Sequence, residues 1–435
     1  MERWSTSLVI AAALIGGCGG QATRDPTAGS GGTTPEVGGN GSGLEGLLGC
    51  EPDPLDDHWQ VSSFEDVGVT HVSVGAGGDL MVVAYGIDEP GGARVGFFAR
   101  TSTTPGVWSE AVRLGVSAPG GVSSEVRVAT DGSGALVSWI EGDSTQVSIY
   151  DGATWATQAL EPPGVGFWSD GNAEMLPGGR AIAAWGTPSG IRTLEYDRAG
   201  WHEGGMLEAT FGGLFLGRDG EIVLYGFSNY SAEPDGRYVY ELGGSFGPAE
   251  PLPPAETDPY FIRHAFEFPS GRAARVLQRW ANEETAGLYL TVRGDGGWGA
   301  EQRVAPYLPS GTNPLAVTYG GEDLVLLWDD EGTIKARRHA GTVWDDEEEL
   351  PLSRSVTTEA WAGSLAGSVL LAGSQHATLE NYHVTNIWRR SADGTWPCPR
   401  VANGATGIVA AGTDAGAFIV SHRQEQTLFI AQFVP

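Results

Sequence analysis

The residues of this chain best suited to chemistry are acidic side chains that follow one kind of apolar run. The run ends in an aromatic residue in LMVVAY, ALVSW, VLQRW and LVLLW. Paired carboxylates can act as general acid and base, and their oxygens suit a hard cation such as Ca²⁺. We call the candidate positions the rim residues: Asp88, Glu89, Glu141, Asp143, Glu283, Glu284, Asp329, Asp330, Glu331 and His376.

A solvated acidic rim is the simpler interpretation of these positions. None of the loops has the regularly spaced oxygen ligands of a dedicated Ca²⁺ site. The sequence therefore assigns no catalytic residue, metal ligand or cofactor, and Ca²⁺ stays an alternative. Four tryptophans nearby could stack on sugars or pack between sheets: Trp139, Trp185, Trp280 and Trp328.

The elements that position these residues come from a repeat. An aromatic residue after the last turn of each unit recurs at intervals of 49, 47, 46, 45, 52, 46 and 52 residues. Within a unit, apolar and alternating runs separated by Gly-containing turns predict four strands. The eight markers are Trp59, Trp108, Trp155, Trp201, Phe246, Trp298, Trp344 and Trp396.

Four-stranded units at this period predict an all-β fold, namely a single eight-bladed β-propeller of antiparallel blades over residues 57–435. A seven-bladed ring is the alternative. Only three runs follow Val401, so the segment from Asp57 to Phe64 can supply the missing outer strand of the last blade. Strands from both termini would then close the ring and remove its open edges.

The charge balance excludes one class of partner. The 435 residues include 25 Lys and Arg against 54 Asp and Glu, a net charge of -29, and Lys335 is the only lysine. A phosphate backbone is bound through clustered cations, so no nucleic-acid partner is expected. The acidic surface favours solubility of the folded part, and we expect a monomer.

The N-terminus resembles a bacterial lipoprotein signal. Arg3 precedes the apolar run LVIAAALI, and Ile15-Gly16-Gly17-Cys18 forms the lipobox. The resemblance implies a signal peptide over residues 1–17, lipid on Cys18, and an outer-membrane location, because Gly19 is not Asp. An ordinary secretory signal is the alternative. Residues 18–56, rich in Gly, Ser, Thr and Pro, are predicted to be a disordered tether that leaves the protein periplasmic or surface-exposed.

The cysteine count fits an exported chain. If Cys18 carries lipid, Cys50 and Cys398 remain as an even pair in an oxidising compartment. A disulfide between them would tie the start of the folded part to its last full repeat. Two free thiols are the alternative.

Two turns resemble the Asp-box of sialidase-like propellers. They are Ser391-Ala392-Asp393-Gly394-Thr395-Trp396 and, more loosely, Asp151-Gly152-Ala153-Thr154-Trp155. Two residues are missing from the strict spacing. In that family the box is a folding device away from the active site, so the resemblance implies the fold and carries no catalytic residue. The Arg-Ile-Pro motif of sialidases is absent from the chain.

These observations predict a lipid-anchored propeller that serves as a noncatalytic binding or scaffold module for protein or glycan. One alternative is a glycan-active enzyme, either a sialidase-like glycoside hydrolase or a polysaccharide lyase. The other is an accessory lipoprotein of outer-membrane assembly.

Overall fold

Every regular element that the computed structural model describes is a β-strand. The described residues are 53–54, 58–65, 68–92, 94–117, 126–141, 144–160, 172–187, 189–208, 210–216, 221–227, 236–252, 260–268, 270–279, 286–306, 315–319, 323–330, 333–340, 343–351, 356–365, 368–377, 382–391, 393–403, 406–413, 416–422 and 427–433.

The strands of the described residues form eight sheets, numbered here in chain order. Two strands, β1 (Asp53–Pro54) and β2 (Trp59–Phe64), precede them. Sheet 1 holds β3 (Val69–Gly77), β4 (Leu80–Asp88), β5 (Val95–Ser102) and β6 (Val112–Val116); sheet 2 holds β7 (Val126–Thr130), β8 (Ala135–Glu141), β9 (Ser144–Tyr150) and β10 (Trp155–Leu160); sheet 3 holds β11 (Asn172–Leu176), β12 (Arg180–Thr187), β13 (Gly190–Tyr196) and β14 (Trp201–Leu207).

In the next three sheets the outer strand is split into two short pieces that pair with the same third strand. Sheet 4 holds β15 (Thr210–Leu216), β16 (Ile222–Phe227), β17 (Gly236–Glu241), β18 (Ser245–Phe246) and β19 (Glu250–Pro251); sheet 5 holds β20 (Tyr260–Glu267), β21 (Ala273–Arg279), β22 (Gly287–Gly294), β23 (Gly297–Trp298) and β24 (Gln302–Pro306); sheet 6 holds β25 (Leu315–Tyr319), β26 (Asp323–Asp330), β27 (Thr333–Ala340), β28 (Val343–Trp344) and β29 (Glu348–Glu349).

The last two sheets each take in one N-terminal strand. Strand β1 pairs in parallel with β33, and β2 pairs antiparallel with β36. Sheet 7 holds β30 (Val356–Leu365), β31 (Ser368–Ala377), β32 (Tyr382–Arg389) and β33 (Arg400–Asn403); sheet 8 holds β34 (Thr406–Thr413), β35 (Gly416–His422) and β36 (Leu428–Phe433). Strand β1 lies inside the segment for which the sequence predicts a tether, so regular structure extends at least as far back as Asp53.

The predicted four-stranded antiparallel unit is confirmed. Consecutive strands pair in chain order within each sheet, which is the arrangement of a β-meander. The repeat marker also has a structural reason, because it lies directly across from the end of the third strand. Trp155 opposes Tyr150, Trp201 opposes Tyr196, and the ring centroids are 5.1 and 5.5 Å apart. Such aromatic cross-strand pairs stabilise the outer hairpin.

The second strand of each well-described sheet is buried on both faces. In β4, Val82 and Ala84 pack against sheet 2, whereas Val83 and Tyr85 pack against sheet 8. All four residues have no exposed surface. This is why the second runs are almost continuously apolar, since a strand covered on both faces has no side for polar residues.

Successive sheets are therefore neighbours in space. First strands contact each other from β3 to β7, β11, β15 and β20, and from β25 to β30 and β34. Sheets 5 and 6 share an apolar cluster that contains Leu288 and Leu324. Strand β34 of sheet 8 also contacts β3 of sheet 1. The last sheet thus packs on the first.

Phe433 connects β2 and β36 to a neighbouring sheet. Its ring stacks on His58 with centroids 5.7 Å apart and meets Trp59 edge-on at 5.3 Å. The Arg389 guanidinium carbon of sheet 7 lies 4.4 Å from the ring centroid. One buried aromatic ring therefore joins the start of β2, the end of β36 and sheet 7.

We expect Phe433→Ala to lower the free energy of unfolding by about 3 to 5 kcal/mol, because it removes a buried aromatic ring and leaves a cavity. Urea denaturation checks this. The control is Val343→Ala, where the side chain is 64% exposed and the change should stay within about 0.5 kcal/mol. Similar midpoints for the two variants would contradict the role given to Phe433.

Candidate functional site

The described rim residues lie at one end of the second strand in four sheets. Asp88 is the last residue of β4, Glu141 of β8 and Asp330 of β26. His376 lies near the end of β31, directly opposite His383 on β32. Asp143, Glu283, Glu284 and Glu331 lie outside the described residues, so their side chains are not placed.

Asp330 belongs to an ion-paired cluster around the only lysine. Lys335 Nζ lies 2.6 Å from Asp330 Oδ2 and 2.9 Å from Glu347 Oε1. The hydrogen bonds to Asp330 and Glu347 raise the pKa of Lys335. Asp330 is thus held as the acceptor of a fixed cation.

The rim of sheet 1 is arranged in a similar way. Glu89 forms an ion pair with Arg113 of β6, whose side chain is 53% exposed. Its backbone N–H also donates to the Arg94 carbonyl at 2.9 Å, which closes the turn. Asp88 is exposed beside it. Each of these two turns thus has one carboxylate engaged by a cation.

The tryptophans at the ends of the second strands pack between sheets. Trp139, Trp185 and Trp328 are each 2% exposed, so no sugar can stack on them. Trp139 stacks on Phe97 of sheet 1, with centroids 5.3 Å apart. A Cβ at Gly115 would lie 2.6 Å from the Trp139 ring, so the indole fits only against glycine there. Trp280 lies outside the described residues.

The structure also brings together reactive groups that the sequence did not single out as a site. Tyr225 of β16 donates a hydrogen bond from Oη to Glu267 Oε1 of sheet 5 at 2.7 Å. Arg237 of β17 donates to the same carboxylate twice, from Nε at 2.8 Å and from Nη2 at 3.1 Å. Bidentate pairs of this kind are among the stronger charge-assisted hydrogen bonds.

The environment of Tyr225 opposes its use as a nucleophile. The residue is 1% exposed, and the Glu267 side chain is also 1% exposed. Burial, with the charge of Glu267, raises the pKa of Tyr225 well above its ordinary value. A nucleophilic phenol needs a lowered pKa and access to substrate. Here Tyr225 is a neutral donor between two sheets.

A second Tyr–Glu pair joins sheets 3 and 4. Tyr240 of β17 donates to Glu195 of β13, and that carboxylate also accepts from the Gly243 N–H at 2.9 Å. Burial and the bond to Glu195 raise the pKa of Tyr240 to about 12. His202 Nε2 lies 3.7 Å from Glu195 on the exposed side. This pair, too, uses a phenol and a carboxylate to join neighbouring sheets.

A third buried polar group lies wholly in sheet 5. Arg275 and Arg279 of β21 are 0% and 1% exposed. Arg279 forms an ion pair with Glu301, and Arg275 Nη2 lies 3.6 Å from the same side chain. The signal in the sequence was the pair of arginines four residues apart in the run ARVLQR, and only the packing of the sheets shows that both are buried.

The two turns that resemble an Asp-box are closed by their aspartates. Asp151 Oδ1 accepts from the N–H groups of Ala153 and Thr154, and Asp393 Oδ1 accepts from the Thr395 N–H. Backbone hydrogen bonds lower the pKa of both aspartates. Both turns join the third strand to the outer part of the sheet, away from the rim.

The described part of the chain holds no group of three or more His, Cys, Asp or Glu side chains close enough to share a metal ion. Among the same residues, no helix is long and apolar enough to cross a bilayer.

Comparison with known proteins identifies the fold. No family model matches the chain, and no curated protein is similar to it in sequence. The WD40 domain of SCAP from fission yeast aligns over 87% of this chain and 98% of its own, with a TM-score of 0.54 and 8% identity. An ulvan lyase of polysaccharide lyase family PL25 aligns over 70% of this chain and 90% of its own, with a TM-score of 0.46 and 9% identity. The NanB sialidase of Streptococcus pneumoniae aligns over 84% of this chain and 68% of its own, with a TM-score of 0.36 and 8% identity. The likeness to the WD40 domain gives the chain a β-propeller fold, as its repeat predicted.

Proposed function

We propose that this protein is a lipid-anchored, noncatalytic binding or scaffold module of the bacterial envelope that recognises protein or glycan. One observation carries the proposal. The described phenol–carboxylate pairs, Tyr225–Glu267 and Tyr240–Glu195, are buried and joined to neighbouring sheets. At the ends of the second strands, by contrast, Asp88 is exposed and Asp329 and Asp330 are half-buried, and carboxylates placed in this way suit recognition of a partner.

We further propose that the eight sheets are the blades of one closed ring, in preference to the seven-bladed alternative. Two contacts support this arrangement. Strand β2 forms the outer strand of sheet 8, and β3 of sheet 1 contacts β34 of sheet 8. In such a ring the turns between second and third strands share one face, so the rim residues would act as one acidic surface.

The anchor is proposed from residues outside the described part. Cys18 would carry the lipid after removal of residues 1–17, and the following residues would hold the propeller at the outer membrane, in the periplasm or on the surface. We expect the full-length protein to partition into the detergent phase of Triton X-114 and Cys18→Ala to stay in the aqueous phase, because a lipid chain adds a large apolar area. Equal partitioning of the two proteins would contradict lipidation at Cys18.

A disulfide between Cys50 and Cys398 is the second covalent proposal. Cys398 is disulfide-bonded, and its partner lies outside the described residues. Asp53 pairs with Arg400 in parallel register, which supports a position for Cys50 beside Cys398, since paired strands lie about 4.8 Å apart.

Peptide mass spectrometry without reduction should therefore find a Cys50–Cys398 cross-linked peptide that disappears on reduction. The same cross-link should persist in Cys18→Ala. A free Cys50, or a bridge between Cys18 and Cys398, would contradict the pairing.

A glycan-active enzyme is the competing function, because Tyr225, Glu267 and Arg237 are chemically able to act on a glycan. The two glycan-active proteins named above are a lyase and a sialidase. This function would require the buried groups to become accessible to substrate. An accessory role in outer-membrane assembly is a third possibility, which co-purification with an outer-membrane complex would support. The proposed module needs no cofactor, with Ca²⁺ as an alternative, binds no nucleic acid and acts as a monomer.

We expect neutralisation of the rim to weaken ligand capture. The double variant Asp88→Asn/Asp329→Asn should bind its ligand about tenfold more weakly than the wild-type protein. A printed array of neutral, acidic and amino-sugar glycans measures this for a glycan ligand, and cross-linking to envelope proteins of the expressing cells measures it for a protein ligand. The matched control is Asp79→Asn/Asp295→Asn, which removes two exposed charges from turns at the other end of the strands. Equal loss in both variants would mean that only net charge matters.

The same glycans should yield no new reducing ends or unsaturated products with folded wild-type protein. If the wild-type protein turned over a glycan, and if Tyr225→Phe abolished this turnover while its circular dichroism spectrum stayed unchanged, the protein would be an enzyme and the noncatalytic proposal would be wrong.

A further inference from the structure

Four turns between described strands contain an aspartate that is followed by a glycine. In such a pair the backbone nitrogen of the glycine can attack the aspartate carboxyl group, because glycine has no side chain to shield that nitrogen. Whether a turn reacts depends on how firmly the carboxyl group, the nitrogen and the backbone between them are held. The four pairs are Asp131-Gly132 and Asp151-Gly152 in sheet 2, Asp295-Gly296 in sheet 5 and Asp393-Gly394 in sheet 7.

In three of these turns the aspartate carboxylate is held by the backbone just beyond it. Asp131 Oδ1 accepts from the Ser133 N–H at 2.8 Å and from the Gly134 N–H at 2.7 Å. The carboxylates of Asp151 and Asp393 are held by backbone N–H groups in the same manner. Burial opposes the shift at Asp131, but backbone hydrogen bonds lower the pKa of all three aspartates. Each carboxylate is therefore kept ionised and turned away from the glycine nitrogen that follows it.

The attacking nitrogen is also engaged in two of these turns. The Gly132 N–H donates to Thr130 Oγ1 at 3.0 Å. The Gly394 N–H donates to the Ser391 carbonyl at 2.9 Å. Either nitrogen would have to break a hydrogen bond before it could approach its own aspartate.

Two of the glycines are confined by neighbouring backbone. A Cβ added to Gly132 would lie 2.8 Å from the Gly77 carbonyl oxygen, so the turn of sheet 2 packs closely on the turn of sheet 1. A Cβ added to Gly152 would lie 3.2 Å from the Ser133 carbonyl oxygen. The peptide planes of these turns have little room to rotate.

The Asp295-Gly296 turn has none of these restraints. It joins β22 to β23 at the outside of sheet 5, and both residues are exposed. Within the described part of the chain, the Asp295 carboxylate has no hydrogen bond or ion pair, and the Gly296 N–H has no acceptor. A Cβ added to Gly294, Gly296 or Gly297 would meet nothing within 4 Å. Carboxyl group, nitrogen and backbone are all unrestrained in this turn.

We propose that Asp295 is a site at which the folded protein rearranges to isoaspartate, ahead of the three other described Asp-Gly turns. The Gly296 nitrogen bonds to Asp295 Cγ, and the hydroxyl of the protonated carboxyl group leaves with the hydrogen of that nitrogen as water. The product of this step is a five-membered succinimide ring. Water then cleaves the bond between the nitrogen and the former main-chain carbonyl carbon. One water is lost and one is gained, and no other reactant is needed.

The rearrangement would alter the outer hairpin of sheet 5. The chain would run through the former side chain, which adds one backbone atom to the link between β22 and β23. Strand β23 has only two residues, and it pairs through Gly294 with Gly297 and through Arg293 with Trp298. A longer link no longer fits this register, so the short hairpin should loosen. Strand β24 keeps its own pairing with β22. The proposal rests on the turns alone and does not depend on what the rim binds.

Peptide mapping of aged protein tests this proposal. The folded full-length protein is kept at physiological temperature in mildly acidic buffer and is then digested. Electron-transfer dissociation distinguishes aspartate from isoaspartate in each of the four peptides. We expect isoaspartate to form at Asp295 about tenfold or more faster than at Asp131, Asp151 and Asp393, because those carboxylates must first lose a charge-assisted hydrogen bond. Equal rates, or a faster rate at one of the three held aspartates, would overturn the proposal.

Ageing of the unfolded protein separates the fold from the local sequence. In guanidinium chloride with reductant none of the four carboxylates is held, so the rates should converge to within about threefold. If Asp295 stayed equally far ahead in the unfolded chain, its neighbours in the sequence would be the cause and the structural proposal would be wrong.

Two variants test the restraints one at a time. Gly296 has open space around it and no positive φ, so Gly296→Ala should fold. The new methyl group should slow isoaspartate formation at Asp295 about tenfold by shielding the nitrogen. Thr395→Val removes the hydroxyl that donates to Asp393 Oδ1 at 2.8 Å. It should raise isoaspartate at Asp393 about threefold and leave Asp295 unchanged. No rise at Asp393, or no fall with Gly296→Ala, would contradict the proposal.

Discussion

Burial of the second strand on both of its faces is the constraint on which this structure depends. Val82 and Val83 are adjacent in the chain, yet each is fully buried against a different neighbouring sheet. Exposed apolar surface costs roughly 25 cal/mol for each Å², so a four-stranded sheet with two apolar faces is not stable alone. Such a sheet is stable between two others, as sheet 1 is between sheets 2 and 8. The turns that carry the rim residues then lie at the same ends of successive sheets.

Sheet 4 is attached to its neighbours in a different way on each face. Toward sheet 3 it has an apolar cluster and the Tyr240–Glu195 bond, and toward sheet 5 it has the hydrogen bonds that Tyr225 and Arg237 donate to Glu267. Buried ion pairs gain little stability over apolar contacts, because both charges lose their hydration. In a molecule built from similar sheets, such pairs can instead specify which faces meet. A face with Arg237 suits a sheet that offers a carboxylate such as that of Glu267 and does not suit an apolar face.

A group of tyrosine, glutamate and arginine side chains can serve either catalysis or the packing of sheets. A tyrosine bound to a glutamate and flanked by arginine has the groups that a nucleophile, a base and an anion site would need. At Tyr225 these groups are buried, the phenol pKa is raised, and the carboxylate accepts from both Tyr225 and Arg237. Group identity alone does not make a catalytic site; access and the direction of the pKa shift also decide it. Asp88 of the rim is exposed and is a carboxylate that a partner can reach.

The sequence by itself determined the class of the fold and the period of its units. Aromatic markers such as Trp155 and Trp201, alternating third runs and Gly-containing turns depend on local strand geometry, which a sequence pattern records directly. It also located the turns after the second strands, and so the candidate rim. Only the tertiary structure decided which polar groups meet. Tyr225, Arg237 and Glu267 are up to 42 residues apart and belong to two sheets. Their contact arises from the stacking of whole sheets, and the sequence contains no local signal for it. The same stacking buried Trp139 and Trp328. Whether an indole at the end of a strand faces solvent or a neighbouring sheet depends on how that neighbouring sheet packs, and the sequence of its own repeat does not contain this information.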